Sequence, residues 1–355
     1  QHLALTLGMS PDRIRVIKPF VGGGFGANSD GMHSHDFCAA LLSKKAGRPV
    51  KIVCSRDEEF TAARRKHPVT LTMKTGVRKD GTIMARKCEA ILNGGAYCSL
   101  GPLTTVLVGT FQTLPYGFSN YQYDGYRYYT NKPPCGAMRG HGGPQCHFAQ
   151  DVQMDMIAEE LGMDLMEIAL KNGLQTGDRS AAGFKIVSSG FHECVKTASE
   201  KGRFREKKQA KKNNGKTAYG IGMGCGGFPS GAGFYFNKTT SAHSSVVIKA
   251  DEYGGVSLFT GASDIGQGSD SVITQIVAEV LGLPMEDINL TSADTMLTPP
   301  DMGTYSSRVT VAAGNAALKA ANGVKKEIFQ VVSEELDARM GDLVTHNRKI
   351  FVKGS

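Results

Sequence analysis

Val256-Ser257-Leu258-Phe259-Thr260-Gly261-Ala262-Ser263-Asp264-Ile265-Gly266-Gln267-Gly268-Ser269 reads as a short strand that breaks into a glycine loop and then opens a helix. The first five residues are mostly apolar or β-branched, which suits a pleated, half-buried surface. The helix Ser269 to Leu281 begins where the loop ends, so its unpaired N–H groups and positive end form an anion site. Gln267 adds an amide donor and an acceptor, although a simple capping turn is the alternative reading. Upstream, Asp251-Glu252-Tyr253-Gly254-Gly255 is a hairpin turn, because Gly-Gly accepts positive φ, and it joins a strand from His243 to Ala250. Downstream, the helix closes on Leu281-Gly282, a left-handed cap, and Pro284 leads into a strand through Ile288-Asn289-Leu290.

That last unit has a counterpart at the start of the chain. Leu3 to Gly8 is an apolar helical face ending in Gly, followed by Pro11-Asp12-Arg13-Ile14-Arg15-Val16-Ile17. The pair suggests two structurally related halves, with chance similarity of two amphipathic units as the alternative. Further strands are expected at Val50 to Cys54, Val69 to Val77, Ile83 to Asn93 and Tyr121 to Thr130, with Arg78-Lys79-Asp80-Gly81 as a second hairpin turn. Helices are expected at His33 to Ala46, Gln145 to Leu161, Asp164 to Asn172 and Gly314 to Met340, with Asp164 and Glu167 at capping-box spacing. The class is α/β, or α+β, with long antiparallel meanders rather than regular βαβ alternation.

With 355 residues, 41% of them hydrophobic, the chain can bury a core of two domains. The basic stretch Lys201 to Lys216 is read as a linker, and the composition turns glycine-rich after it from Tyr219 to Gly227. The division is therefore placed at 1–215 and 217–355. The net charge of +8 is carried partly by this linker, in which only Phe204 is aromatic, so a stacking platform for nucleic acid is not indicated. No apolar run reaches the ~18 residues of a membrane span. The eight cysteines show no C-x-x-C or other cluster, which favours free thiols in a reducing cytoplasm over zinc, an iron–sulfur cluster or disulfides.

Glycine makes up 44 of the 355 residues, well above the ~7% average, and it is concentrated in loops. Val21-Gly22-Gly23-Gly24-Phe25-Gly26 follows a strand expected over Arg13 to Lys18, and its backbone amides can converge on an anion or a metal-bound oxygen. It matches neither the dinucleotide fingerprint nor the P-loop. Gly303-Thr304-Tyr305-Ser306-Ser307-Arg308 places hydroxyls and a guanidinium at a helix start, as phosphate recognition requires. Pro133 to Gln145 holds Arg139 in an irregular loop before a long helix. Four such loops favour a large, polar, multiply anionic cofactor wrapped by backbone amides.

Gly22-Gly23-Gly24-Phe25-Gly26, Met138-Arg139-Gly140-His141-Gly142-Gly143-Pro144-Gln145, Gly266-Gln267-Gly268 and Tyr305-Ser306-Ser307-Arg308 resemble, in order and spacing, the motifs of the molybdenum-binding subunits of the xanthine oxidase family. Asn131 to Gly142, and Leu297-Thr298-Pro299 leading to Tyr305 to Thr310, are most similar to 4-hydroxybenzoyl-CoA reductase. The resemblance implies two related mixed α/β molybdopterin-binding domains, the second incomplete. It implies a molybdenum-dependent oxidoreductase that hydroxylates, or reductively dehydroxylates, an aromatic substrate such as an aroyl-CoA thioester. Gly24, Phe25, Gly26 and Arg139 would lie beside the metal. Gly266, Gln267, Gly268, Tyr305, Ser306, Ser307 and Arg308 would hold the pterin and its phosphates. His141 and Lys66 would face the substrate, His141 replacing a stacking phenylalanine. No side chain would ligate molybdenum, which is held through the pterin dithiolene, expected in its cytosine dinucleotide form. Electrons would pass to [2Fe-2S] and FAD cofactors on an iron–sulfur subunit and an FAD subunit, in a cytoplasmic dimer of heteromers. The family's general base is a glutamate in a Gly-Glu motif; no such pair occurs here, and the N-terminal hammerhead region is missing. The expectation is that the remaining molybdenum-subunit segment or another chain completes the centre, the alternative being a non-catalytic, pterin-binding scaffold.

Overall fold

The computed structural model describes residues 1–27, 32–210, 217–231 and 243–354. In chain order the first elements are α1 (His2–Leu7), α2 (Ser34–Ala46), α3 (Arg56–Ala62), β1 (Val69–Val77), β2 (Ile83–Asn93), α4 (Gly101–Phe111), β3 (Asn120–Tyr128), α5 (Gly143–Leu161), α6 (Leu165–Asn172), α7 (Phe191–Gly202) and α8 (Phe204–Gln209). Then come β4 (Val246–Ala250), β5 (Val256–Thr260), α9 (Ser269–Leu281), β6 (Ile288–Ser292), α10 (Val309–Glu335), β7 (Leu343–His346) and β8 (Lys349–Val352). These elements form two compact units, one of Gln1–Gly24, Met32–Ile52 and Pro229–Ser355, the other of Phe25–Gly31 and Val53–Phe228. The boundary expected at 215 falls in 211–216, outside the described residues.

In the second of these units, β1 and β2 are antiparallel across the turn at Arg78, where the Gly81 N–H donates to the Arg78 carbonyl at 2.9 Å and Gly81 has φ 83°. β2 then pairs parallel with β3 after the crossover through α4. Cys88, Ala90 and Leu92 of β2 are fully buried while Glu89 and Ile91 are exposed, the two-residue period of a strand with one covered face. Ile83, Tyr116, Phe118, Met154, Ala158 and Ile168 form the core beneath α5 and α6.

The other unit repeats this plan. β4 and β5 form the hairpin, α9 crosses over, and β6 returns parallel to β5. Leu258, Ile273, Val277 and the α10 residues Ala313, Ala317 and Ala321 make its core. The four-residue spacing of those alanines leaves one face of α10 flat, so it packs closely on α9. In both units a hairpin, a βαβ crossover, an irregular loop and a long helix follow in sequence, and this is where the duplication lies.

Several expectations change. The two three-stranded sheets are mixed, with one antiparallel and one parallel pairing each, not antiparallel meanders, and only β7–β8 is a purely antiparallel pair among the described residues; α4 went unread because Gly, Pro and two threonines weaken its start. Val50 to Cys54 is not a strand, since Ile52 and Val53 are exposed and no ladder partner exists among the described residues. Arg13 to Lys18 forms a 3-10 turn and then a single bridge, Ile17 to Asp294, because the facing chain offers only residues 293–295. α10 begins at Val309 and ends at Glu335. Asp164 caps α6 by accepting from the Met166 N–H. The basic stretch is helical over most of its described part, because Phe204 is buried and anchors α8.

The segment 217–228 lies along α5, where the Cys225 N–H donates to the Asp151 carboxylate at 2.7 Å and His147 Nε2 meets the Gly227 carbonyl at 3.0 Å. Burial pushes Asp151 up to about 6, against the lowering pull of the Cys225 amide, the Tyr116 hydroxyl and Arg86. Burial, Arg127 and His141 push His67 down to about 4. The folded Asp151 therefore holds a proton that the unfolded chain releases between pH ~4 and ~6, and stability falls as pH rises through that window. The folded His67 refuses a proton that the unfolded chain takes up below pH ~6.5, so its contribution rises with pH from ~4 to ~6.5. Asp151→Asn removes the falling contribution, and the rise of the denaturation midpoint between pH 4 and 6 becomes steeper than in the parent. An unchanged slope would show that Asp151 titrates normally.

Candidate functional site

The residues singled out in the sequence gather into two groups, one in each unit. In the unit containing β1 to β3, the Arg139 N–H donates to the Phe25 carbonyl at 2.7 Å, and the Arg139 guanidinium lies 5.4 Å from the centre of the Phe25 ring. Gly26 has φ 97°, and a Cβ on it would sit 2.7 Å from the Ala137 carbonyl oxygen, so only glycine allows this backbone-to-backbone approach. Lys66 Nζ donates to the Arg139 carbonyl at 2.9 Å, and burial, with the charge of Arg139, lowers its affinity for a proton. His141 lies across the same loop, its Nε2 2.9 Å from the hydroxyl of Thr104, a buried residue of α4.

The other unit brings three loops together around Ser263 to Ile265. Lys18 Nζ donates to the Asp264 carbonyl at 3.0 Å, and the Thr304 hydroxyl donates to the Ser263 carbonyl at 2.6 Å. A Cβ on Gly24 would lie 2.9 Å from Ile265 Cδ1, and one on Gly261 would lie 2.3 Å from the Pro299 carbonyl oxygen. Gly266 and Gly268 both hold positive φ, Gly268 as the N-cap of α9.

Two side chains expected to reach the cofactor are engaged within their own loops. Gln267 accepts from the Ile265 N–H and donates to the Ser263 carbonyl and the Ser269 hydroxyl. Arg308 is 1% exposed and donates to Asp301 at 3.1 Å and to the carbonyls of Gly303 and His243 at 2.7 and 2.6 Å. Its guanidinium also lies 5.6 Å from the centre of the Tyr305 ring. Arg308 thus holds loop 301–308 in shape, with Ser306 and Ser307 directly before the start of α10. The anion at the start of α9 is the chain's own Asp264: burial alone would push its carboxyl up, but the amides of Gly266, Asp270 and Gly268 and the charge of Lys18 hold it below the usual range.

Phe25, His141, Ser306 and Ser307 all take positive φ without being glycine, at 51, 41, 49 and 51°. Left-handed backbone at a residue bearing a Cβ is costly, and it persists where the surroundings impose it, commonly at ligand sites. In each unit by itself, positive-φ turns and glycines that admit close backbone approach suit contact with an anionic group through main-chain atoms. The parts played by Lys18 and Thr104 went unread in the sequence, because each acts through a partner remote along the chain.

Comparison with known proteins agrees with this geometry. Residues 1–173 and 193–355 each match the molybdopterin cofactor-binding domain family. The chain is built of two xanthine dehydrogenase-family molybdopterin-binding domains. The xanthine dehydrogenase molybdenum-binding subunit of Escherichia coli O157:H7 is 37% identical over 323 residues, 89% of this chain and 42% of that protein. The gamma subunit of the 6-hydroxypseudooxynicotine dehydrogenase complex of Paenarthrobacter nicotinovorans is 30% identical over 362 residues, 99% of this chain and 45% of that protein. The crystal structure of quinoline 2-oxidoreductase from Pseudomonas putida 86 superposes with a TM-score of 0.89 at 26% identity, covering 99% of this chain and 46% of that one. The chain thus spans less than half the length of these relatives.

Within the molybdopterin-binding domains, Arg308 and Gln267 separate by burial. Arg308→Ala leaves the Asp301 carboxylate buried without its partner and costs about 3–5 kcal/mol. Gln267→Ala, in an exposed loop, costs about 0.5–1.5 kcal/mol. Denaturant midpoints of the two variants test the order, and equal losses would remove the bracing role of Arg308.

Proposed function

We propose that this chain forms the cofactor-binding part of a molybdenum hydroxylase acting on an aromatic ring. The observation that carries the reading is the Gly26 to Ala137 backbone approach beside Arg139, a glycine-dependent surface within domains that match molybdopterin-binding families. Bound there, the molybdenum–pterin group supplies two-electron oxidation and reduction. The residues of the chain bind and orient it. The Phe25–Gly26 backbone and Arg139 would hold the metal end of the group. In the other unit Ser306 and Ser307, beside the buried Arg308–Asp301 pair, together with Gln267, Gly266 and Gly268, would hold the pterin and its phosphate arm. His141, held by Thr104, and Lys66 face the substrate.

The finer reading keeps the pterin as a cytosine dinucleotide and places the general-base glutamate outside the 355 residues. It assigns [2Fe-2S] and FAD carriers to partner subunits, in a cytoplasmic dimer of heteromers. All eight cysteines are free thiols, as a reducing compartment would keep them. The names of the relatives, which include quinoline 2-oxidoreductase and nicotine 6-hydroxylase, favour ring hydroxylation. The run Asn131 to Gly142 points more narrowly to an aroyl-CoA thioester, as in 4-hydroxybenzoyl-CoA reductase.

Elemental analysis and mass spectrometry of the cofactor extracted from the natively purified enzyme test the reading. One molybdenum per chain with a pterin dinucleotide is expected. Metal far below that ratio in the complete assembly would point instead to a non-catalytic scaffold. Gly26→Ala is expected to lower pterin content severalfold, whereas His141→Phe shifts substrate preference with molybdenum content retained.

A further inference from the structure

The sheet β1–β2–β3 turns one face to its core, where Cys88, Ala90 and Leu92 of β2 are buried, and leaves the other face open. Strand alternation and register set the residues of the open face in rows that cross the three strands. Lys74, Lys87 and Gln122 make one row, and Thr72, Glu89 and Asp124 make the next. Ala85 and Asn120 lie beyond the first row, and Ile91 and Tyr126 lie beyond the second. Asp124 is half-buried, and the other members of the two charged rows are exposed. Ile91 and Tyr126 add large apolar surface at 42% and 46% exposure. Like charges thus stand directly opposite one another, Lys74 to Lys87 and Glu89 to Asp124, which destabilises a sheet standing alone. Among the described residues none of these four charges forms an ion pair. Asp124 accepts instead from the Gln122 side-chain amide at 3.0 Å.

A positive row beside a negative row, with large residues beyond one and small residues beyond the other, is complementary to itself under a two-fold rotation. The axis lies in the plane of contact, runs across the strands and passes between the two charged rows. It sets Lys87 against the second copy's Glu89 and Glu89 against that copy's Lys87, the reciprocity of an isologous interface. The same rotation seats Ile91 over the second copy's Ala85 and Tyr126 over its Asn120. Strands of the two sheets then lie within about 30° of each other, the usual angle of aligned sheet packing.

We propose that the open face of β1–β2–β3 is an interface between two copies of this chain, centred on reciprocal Lys87–Glu89 pairs. This rests on the proposed function only for the two-copy assembly, and it names the surface that joins the copies.

The experiment uses the complete, natively purified enzyme that carries this chain. Sedimentation velocity over a concentration series counts the copies per particle and gives their dissociation constant. Two copies are expected. Lys87→Glu spoils the contact twice, because the two-fold axis repeats it, and so does Glu89→Lys. Each is expected to raise the dissociation constant about a hundredfold, roughly tenfold for each like-charge contact. The double variant, Lys87→Glu with Glu89→Lys, restores the pair in reverse and returns the constant to within about tenfold of the parent. A second measurement needs no variant. Carbodiimide coupling of enzyme assembled from heavy-isotope and unlabelled chains should join Lys87 to Glu89 in mixed-isotope peptide pairs. Pairs of one isotope only, or coupling of either residue to a different polypeptide, overturn the proposal. So do two copies that stay joined in both single variants, or a particle that holds one copy. Molybdenum and pterin content is expected to match the parent in every variant. Absence of molybdenum from the parent enzyme instead removes the functional reading, whatever the number of copies.

Discussion

Four residues that bear side chains, Phe25, His141, Ser306 and Ser307, hold a left-handed backbone that each would leave if isolated. The penalty is of the order of 1–2 kcal/mol per residue, and packing around each loop has to supply it. Around Phe25 the supply is the hydrogen bond from Arg139 and the close seat of Gly26 on Ala137. Around His141 it is the buried hydroxyl of Thr104 on α4. Around Ser306 and Ser307 it is the Arg308–Asp301 pair, buried on both sides and tied to three carbonyl or hydroxyl oxygens besides. The shape of each loop is thus held by contacts within the protein, which reduces the ordering that binding must otherwise provide.

The same arrangement explains why two prominent polar side chains, the buried Arg308 and the exposed Gln267, bond within their own loops. A loop that presents main-chain groups and hydroxyls needs stiffening, and Arg308 and Gln267 stiffen it from behind. The Asp264 carboxylate plays the matching part at the start of α9, where helix amides and Lys18 keep it ionised. Charge at these loops is balanced within the unit. Among the described residues no carboxylate pairs with Lys66 or Arg139, which lie closer to solvent.

The duplicated plan accounts for where the loops lie. In each unit the irregular loop runs from the end of the parallel-paired strand to the long helix, β3 to α5 in one and β6 to α10 in the other. A parallel return strand needs a crossover helix, so the next connection emerges at the same edge of the sheet in both units. Residues 139 and 308, arginines in both cases, sit just before the long helix. Arg139 is exposed and lies over the Phe25 ring of another loop, whereas Arg308 is sealed inside over the Tyr305 ring of its own.

Periodicity and punctuation along the chain determined β1, β2, β5 and α9 to the residue, since each has an uninterrupted pattern and a turn or glycine at its ends. Glycine concentrated between a strand and a helix is also a local signal, which is why the candidate loops could be named, and the ordered motifs carried the family resemblance. What remained hidden depends on partners far along the chain. The parallel pairings and α4 follow from crossover topology, the loss of the Val50 strand from the lack of a neighbour, and the inward turn of Arg308 from Asp301 and the His243 carbonyl. A side chain's type states which contacts it can make. Only the folded backbone decides whether those contacts are found inside the protein or left for a ligand.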